Sequence, residues 1–141
     1  MKVIVDTNRI IASLIKEGAT REILFDKYFD FLTPDYTISE IEEHKEELKI
    51  KTKLADKEFD ILLALLFEHI EIVPESEYKN YVKECDGLIS DKDDILFLAS
   101  CISSNAEGIW AHDPHFKEQN KVKVFTNIDM LMLSGKSHTL T

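Results

Sequence analysis

The amino-terminal segment constrains the fold of this 141-residue chain more than any other feature. A β-branched run, Val3-Ile4-Val5, is followed at once by the acid Asp6. A run that is apolar at every position is typical of a strand buried on both faces, as in the parallel sheets of α/β proteins. We therefore expect a central strand that ends at Asp6, at the sheet edge where such proteins bind their ligands.

Predicted strands and helices alternate along the rest of the chain. Strands are expected at about 29–33, 70–74, 108–112 and 123–126, and helices at about 7–17, 20–28, 37–48, 56–69, 76–85, 90–102 and 127–134. Asp56, Ser76 and Asn127 are the predicted caps of three of these helices. The alternation predicts a three-layer α/β/α sandwich with a central five-stranded parallel sheet. We expect one domain over residues 1–135 and a polar carboxyl-terminal tail at 136–141.

Composition and charge exclude several classes of protein. The net charge of −10 argues against broad affinity for nucleic acids, but it permits a local site in which carboxylates surround cations. No apolar run approaches the ~20 residues of a membrane span, and the first strand leaves no room for a signal peptide. We therefore expect a cytoplasmic protein without a membrane partner. Cys85 and Cys101 match no metal-ligand spacing and are expected to be small buried residues.

One predicted helix is too apolar for an ordinary surface helix. Residues 61–67 are seven consecutive apolar residues, which is more than one face of a helix. This helix is therefore either deeply buried or covered by a partner chain. We favour the second alternative and expect a homodimer.

Four acids stand where strands give way to helices or where helices begin: Asp6, Glu40, Asp94 and Asp113. Each has an ordinary structural interpretation. Asp6 is placed to cap a helix, Asp113 precedes a proline at a helix start, and two capping-box spacings occur, Thr37 with Glu40 and Ser90 with Asp93. For each acid taken alone, capping and function both remain open.

Taken together, the four acids predict a metal site. The edge of a parallel sheet brings them close, and no lysine or arginine stands beside three of the four in the sequence. Uncompensated carboxylates raise each other's pKa unless a cation lies among them, and oxygen ligands favour Mg²⁺ or Mn²⁺. Asp91 lies three residues before Asp94 and is a further candidate ligand. Thr7 and Asn8 are candidates to orient the carboxylate of Asp6 or a bound water.

The basic side chains are weaker candidates. His44 follows Glu40 by one turn, and His112 and His115 flank Asp113. We interpret all three histidines as solvated. The cluster Lys45, Lys49, Lys51 and Lys53 is either a solvated face or a surface that meets the phosphate backbone of RNA.

Four motifs in this order resemble the PIN domain, a family of metal-dependent ribonucleases. They are Val5-Asp6-Thr7-Asn8, Thr37-Ile38-Ser39-Glu40-Ile41, the segment 91–99 and the segment 109–116. The resemblance implies that Asp6, Glu40, Asp94 and Asp113 are catalytic and hold one or two Mg²⁺ or Mn²⁺ ions. Two positions depart from the pattern: Ala111 stands where threonine or serine is common, and His115 where a further acid often follows.

The resemblance implies an endoribonuclease that hydrolyses phosphodiester bonds of single-stranded RNA. Such a protein would be the toxin of a toxin–antitoxin pair, with an antitoxin protein as its partner, or an RNA-processing enzyme. The alternative is a catalytically inactive PIN-like module that binds RNA or scaffolds proteins. A phosphotransfer receiver also gathers acids at a sheet edge, but this chain lacks the acid pair and the late lysine that it would need.

Overall fold

The computed structural model describes residues 1–135 and contains a five-stranded sheet in which every strand pair is parallel. The strands are β1 (Lys2–Val5), β2 (Asp30–Pro34), β3 (Ile70–Val73), β4 (Ile109–Trp110) and β5 (Val124–Phe125), in the order β3-β2-β1-β4-β5. Strand β1 is central, and its Ile4 is in register with Leu32 on one side and Ile109 on the other. The strand order reverses between β1 and β4, and α/β proteins bind ligands at such a switch point.

Eight α-helices and a short 3-10 helix are present among residues 1–135. They are α1 (Thr7–Ile15), α2 (Ala19–Leu24), α3 (Tyr36–Glu43), α4 (Lys45–Thr52), α5 (Asp56–Phe67), α6 (Glu75–Cys85), α7 (Lys92–Ser104), the 3-10 helix (Pro114–Glu118) and α8 (Asn127–Leu133). None of the helices within this range is long and apolar enough to cross a membrane.

The core has two parts, one on each face of the sheet. Val3 and Val5 project to the face that packs against Ile10 of α1, while Ile4 projects to the face that carries Leu98 of α7. All of these side chains are buried. Because residues of a strand alternate between faces, a strand buried on both faces needs a helical layer on each side. The predicted three-layer α/β/α sandwich with a central five-stranded parallel sheet is therefore confirmed.

Several predicted boundaries were wrong. The helix predicted at 37–48 is two helices, which meet at His44. Strands β4 and β5 are only two residues long. The helix caps also differ: the residues in the cap position are Ala55 for α5, Pro74 for α6 and Thr126 for α8. Several neighbouring polar residues fit the local pattern of a helix cap, and tertiary packing decides at which residue the helix begins.

The apolar helix α5 is not deeply buried. Phe59 and Leu66 are fully buried, whereas Ile61 is 53% and Leu65 44% exposed. Of the two alternatives that the sequence left open, burial in the interior is excluded. Cys85 and Cys101 are free and buried, as predicted. The extent of the domain remains a prediction, and the tail at 136–141 lies outside the described residues.

Candidate metal centre

The switch point of the sheet brings the four predicted acids together. Asp6 follows β1, Glu40 lies on α3 after β2, Asp94 lies in the first turn of α7, and Asp113 follows β4. The carboxylates of Asp94, Glu40 and Asp113 each raise the pKa of Asp6. Acids that are far apart in the sequence therefore form one cluster, because the strands and helices that carry them end or begin at the same edge.

Asp6 is the most buried member of the cluster. Its side chain is 4% exposed, and its Oδ2 atom is shielded from solvent and has no hydrogen-bond partner. Burial, followed by the charges of Asp94, Glu40 and Asp113, raises the pKa of Asp6 to about 7. Asp6 occupies the cap position of α1, but its side chain makes no capping hydrogen bond. Helix capping therefore does not explain this acid.

Glu40 is held by a buried set of hydroxyl groups. Thr7 Oγ1 donates to Glu40 Oε1 at 2.6 Å and lies 3.0 Å from Thr37 Oγ1. Thr33 Oγ1 lies 2.7 Å from Thr37 Oγ1 and donates to the Val5 carbonyl at 2.9 Å. Since Thr7 and Thr33 each donate their proton elsewhere, Thr37 is the donor in this group and gives its single proton to one of the two at a time. This network links Glu40 to the backbone of the central strand.

The capping box predicted at Thr37 and Glu40 does not form. Helix α3 begins at Tyr36, and Asp35 occupies the cap position without a side-chain capping bond. Glu40 thus lies in the body of the helix, where burial raises its pKa most and the hydrogen bond from Thr7 opposes that rise. Thr37, which the sequence pattern associates with capping, instead contacts Thr7, the donor to Glu40.

A second group of potential ligands lies beside Asp6. One ligand atom from each of Asp91, Asp94 and His115 falls within 4.8 Å of the others. His115 Nδ1 is 3.6 Å from Asp94 Oδ2 and 3.3 Å from Asp113 Oδ1. Burial and the charges of Asp91 and Asp113 raise the pKa of Asp94 to about 6. His115 is half-exposed, in agreement with its interpretation as a solvated side chain, but its Nδ1 atom also faces the acid cluster.

Two of the acids also cap helices, as an ordinary structural interpretation requires. Asp113 Oδ1 accepts a hydrogen bond from His115 N at 2.9 Å, with Pro114 at the start of the 3-10 helix. Asp91 Oδ1 accepts from Asp93 N at 2.9 Å and caps α7, so that the box predicted at Ser90 and Asp93 is replaced by this shorter turn. Each capping bond occupies one lone pair of a carboxylate, and ample acceptor capacity remains for a metal ion.

The donor set suits a divalent cation. The charges of Glu40 and Asp113 raise the pKa of both Asp6 and Asp94, and Asp6 has a buried oxygen without a partner. Such repulsion is costly in an apo protein, and a hard cation relieves it by accepting carboxylate oxygens. The imidazole nitrogen of His115 is a further potential ligand, of a kind that Mn²⁺ accepts more readily than Mg²⁺.

Two residues near the cluster were missed by sequence analysis. Arg9 lies close enough to Asp6 for its charge to lower the pKa of that acid, which corrects the expectation that the acids lack a basic neighbour. Burial and the carboxylates of Glu40 and Asp93 raise the pKa of Tyr36, which places its hydroxyl beside the cluster. The signal for Arg9 was its spacing of three residues from Asp6 on a helix, whereas no local pattern points to Tyr36.

The remaining predicted site residues lie apart from this network. Asn8 is exposed, and its supporting role remains a prediction. The lysines are largely engaged with neighbouring acids: Lys45 with Asp60 at 3.6 Å, Lys49 with Glu46 at 3.7 Å and Asp56 at 3.6 Å, and Lys51 with Glu47 at 3.3 Å. Lys53 ends α4 in the left-handed region, with a φ of 59°. These ion pairs favour the solvated-face interpretation of the lysine cluster.

His44 and His112 lie at the margins of the cluster. His44 Nδ1 lies 3.6 Å from Glu47 Oε2, and its charge lowers the pKa of Glu40. His112 is exposed, but its Nε2 accepts a hydrogen bond from Asn127 N at 3.3 Å. Burial and the charge of Arg9 lower the pKa of His112.

The fold and the site together define a class of protein: a parallel α/β protein with acids at the switch point of its sheet. The family model of the PIN domain matches residues 4–127, and the chain therefore belongs to the PIN domain family. The resemblance carried by the four motifs is confirmed. No curated protein matches the chain.

One similar solved structure is the crystal structure of VapBC2 from Rickettsia felis bound to a DNA fragment from their promoter. Its TM-score is 0.64 at 17% sequence identity, and the alignment covers 89% of this chain and 98% of that chain. This likeness confirms the fold over nearly the full length of both chains.

Proposed function

We propose that this protein is a metal-dependent endoribonuclease that hydrolyses phosphodiester bonds of single-stranded RNA. The observation that carries the proposal is the buried Asp6 carboxylate, which has an unpartnered oxygen and three acidic neighbours but no capping role. Membership of the PIN domain family supports nuclease chemistry, because PIN domains are generally nucleases that use divalent metals. We propose Asp6, Glu40, Asp94 and Asp113 as the catalytic residues.

The proposed ligands of the metal are Asp6, Asp91, Asp94 and Asp113, with His115 as a nitrogen ligand and Glu40 completing the site. Mg²⁺ or Mn²⁺ supplies positive charge that offsets the phosphate and lowers the pKa of water. The carboxylates position the cation at the switch point, and their negative charge orients the attacking water. The Thr7 hydroxyl fixes the rotamer of Glu40, so that this acid enters the reaction without having to be ordered first.

The proposal is tested by incubating single-stranded RNA with the protein and Mn²⁺. The native protein should cleave, chelation with EDTA should stop cleavage, and Asp6→Asn should lose it. Asp86→Asn is the matched control, because it removes the same charge from an exposed acid in the turn after α6. Equal cleavage by native protein and Asp6→Asn would indicate contamination and contradict the proposal.

The inactive alternative makes a different prediction. A scaffold or RNA-binding module derived from this fold would show no cleavage at any divalent-ion concentration. The departures that motivate it are Ala111, which is buried, and His115. His115 contacts two acids of the cluster and supplies a ligand in place of the missing acid, which favours the enzyme.

The homodimer also remains a proposal, supported by the exposed apolar side chains of α5. Ile61 and Leu65 share one face of this helix, being four residues apart, and each is more than two-fifths exposed. Light scattering of the native protein should give the mass of a dimer, and Ile61→Asp should give a monomer. Ile128→Asp on α8 is the control, since Ile128 is even more exposed than Ile61 but lies on another helix. A native monomer would refute the dimer.

The biological setting of the protein is also a proposal. The solved structure of similar fold is of VapBC2 bound to promoter DNA, which motivates the proposal of an antitoxin partner for this chain. The role in RNA processing remains the alternative, and the cytoplasmic location remains a prediction. Coexpression with the product of the neighbouring reading frame would test the antitoxin: copurification and inhibition of cleavage support it, and their absence contradicts it.

A further inference from the structure

Arg9 is a half-buried cation at the edge of the acid cluster. It lies in the first turn of α1, three residues after Asp6, so that both side chains emerge on the same side of the helix start. Its Nε atom is shielded from solvent and has no hydrogen-bond partner. None of the ion pairs formed within residues 1–135 includes Arg9.

Arg21 shows what a structural arginine looks like in this fold. Its Nε donates to the Ser13 carbonyl at 2.7 Å and its Nη2 to the Leu14 carbonyl at 3.4 Å, which caps the last turn of α1. It also pairs with Glu17 at 3.6 Å. Arg21 thus uses its donors to hold two helices together, whereas the buried donor of Arg9 is left over.

The groups that face Arg9 do not satisfy it. Asp6 acts on Arg9 through its charge, and His112 is the other titratable neighbour that its charge reaches. His112 Nε2 accepts from Asn127 N and contributes no negative charge. Under the proposed function, the charge of Asp6 is directed to the metal, which leaves the half-exposed guanidinium of Arg9 available to an anion from outside the chain.

We infer that Arg9 is a substrate-binding residue that donates to a phosphate group of the RNA strand at the acid cluster. This inference rests on the proposed function and adds the group that attracts an anion to a site built from acids. The guanidinium is planar and presents paired donors that match two phosphate oxygens, and it remains charged at all relevant pH values. A chain with a net charge of −10 needs such a local cation to hold RNA against general repulsion.

The test is the salt dependence of RNA binding. Fluorescence anisotropy would follow a labelled oligouridine in Ca²⁺, which replaces Mn²⁺ so that the RNA stays intact. We expect Arg9→Gln to weaken binding roughly tenfold or more and to reduce the slope of log K against log salt by about 0.7, the value for one lost contact with single-stranded phosphate. Lys16→Gln is the matched control, because Lys16 is an exposed cation at the far end of the same helix.

Two further measurements separate the outcomes. Arg9→Lys keeps the charge but loses the planar fork, and it should retain the native slope with weaker binding. Mn²⁺ calorimetry on each variant verifies that the metal site is intact. A native slope and affinity in Arg9→Gln would overturn this inference alone, and so would an absence of RNA binding by the native protein in Ca²⁺. Failure of the native protein to cleave RNA in Mn²⁺ would instead overturn the proposed function.

Discussion

Replacing Asp6 with asparagine separates a metal-binding acid from a structural one. The carboxylate is buried, makes no capping hydrogen bond and faces three other acids. In the apo protein its ionisation therefore opposes folding. Asparagine has nearly the same shape and carries no charge, so Asp6→Asn removes the repulsion without leaving a cavity.

The magnitude of this effect depends on pH. Burial and neighbouring acids raise the pKa of Asp6 from 3.8 to about 7. Below pH 4 the group is protonated in both the folded and the unfolded state and costs nothing. Between pH 4 and 7 only the folded state holds the proton, so the free energy of unfolding falls by about 1.4 kcal/mol per pH unit. The total loss at pH 8 is about 4 kcal/mol.

The difference in free energy of unfolding between Asp6→Asn and the native protein should therefore change sign as pH rises. Its buried amide hydrogens lack partners, at a cost of about 1–3 kcal/mol that does not depend on pH. Asp6→Asn should be less stable than the native protein at pH 4 and more stable, by about 1–3 kcal/mol, at pH 8.

Urea unfolding in EDTA at pH 4, 6 and 8 measures this difference, with Asp86→Asn as the control that should show no trend. In Mn²⁺ at a hundred times its Kd, the native protein should gain about 2.7 kcal/mol and the variant much less. A variant that is less stable than the native protein at pH 8, or a difference that does not vary with pH, would refute the reasoning.

Two other predictions concern the ligands and their support. Pulsed electron paramagnetic resonance of bound Mn²⁺ should show nitrogen coupling from His115. His115→Asp should abolish this coupling and shift the metal preference from Mn²⁺ towards Mg²⁺. Absence of coupling in the native protein would exclude His115 as a ligand. Thr37→Val deletes the hydroxyl group that contacts Thr7 and Thr33, and it should weaken Mn²⁺ binding about tenfold while Thr37→Ser retains it. Equal affinity of the two Thr37 variants in calorimetry would show that the hydroxyl network does not position Glu40.

The sequence was sufficient to predict the sheet and the acids because both follow from simple periodicity. A fully apolar strand ending in an acid is central and parallel, and parallel strands deliver their last residues to one edge. Val3-Ile4-Val5 and Asp6 occupy those positions in the structure, and Glu40, Asp94 and Asp113 join Asp6 there.

The sequence was not sufficient for interactions that depend on packing between elements. The capping-box spacing of Thr37 and Glu40 fits a helix start, but the cap position of α3 lies two residues earlier, and both side chains contact Thr7 of α1. His115 is half-exposed, as predicted, but its contact with Asp94 crosses from one element to another and was not predicted. A local sequence pattern cannot distinguish such residues from caps and surface side chains, because the deciding contacts join residues that are far apart in the sequence.

Titration calorimetry with Mn²⁺ tests the metal centre most directly, because it measures metal binding without an activity assay. The native protein at pH 7.5 should bind Mn²⁺, Asp94→Asn should lose most of that binding, and Asp86→Asn should match the native protein. Asp94 is the decisive residue because it adjoins both Asp6 and the group formed with Asp91 and His115. Absence of Mn²⁺ binding by the native protein, or equal binding by Asp94→Asn, would contradict the account.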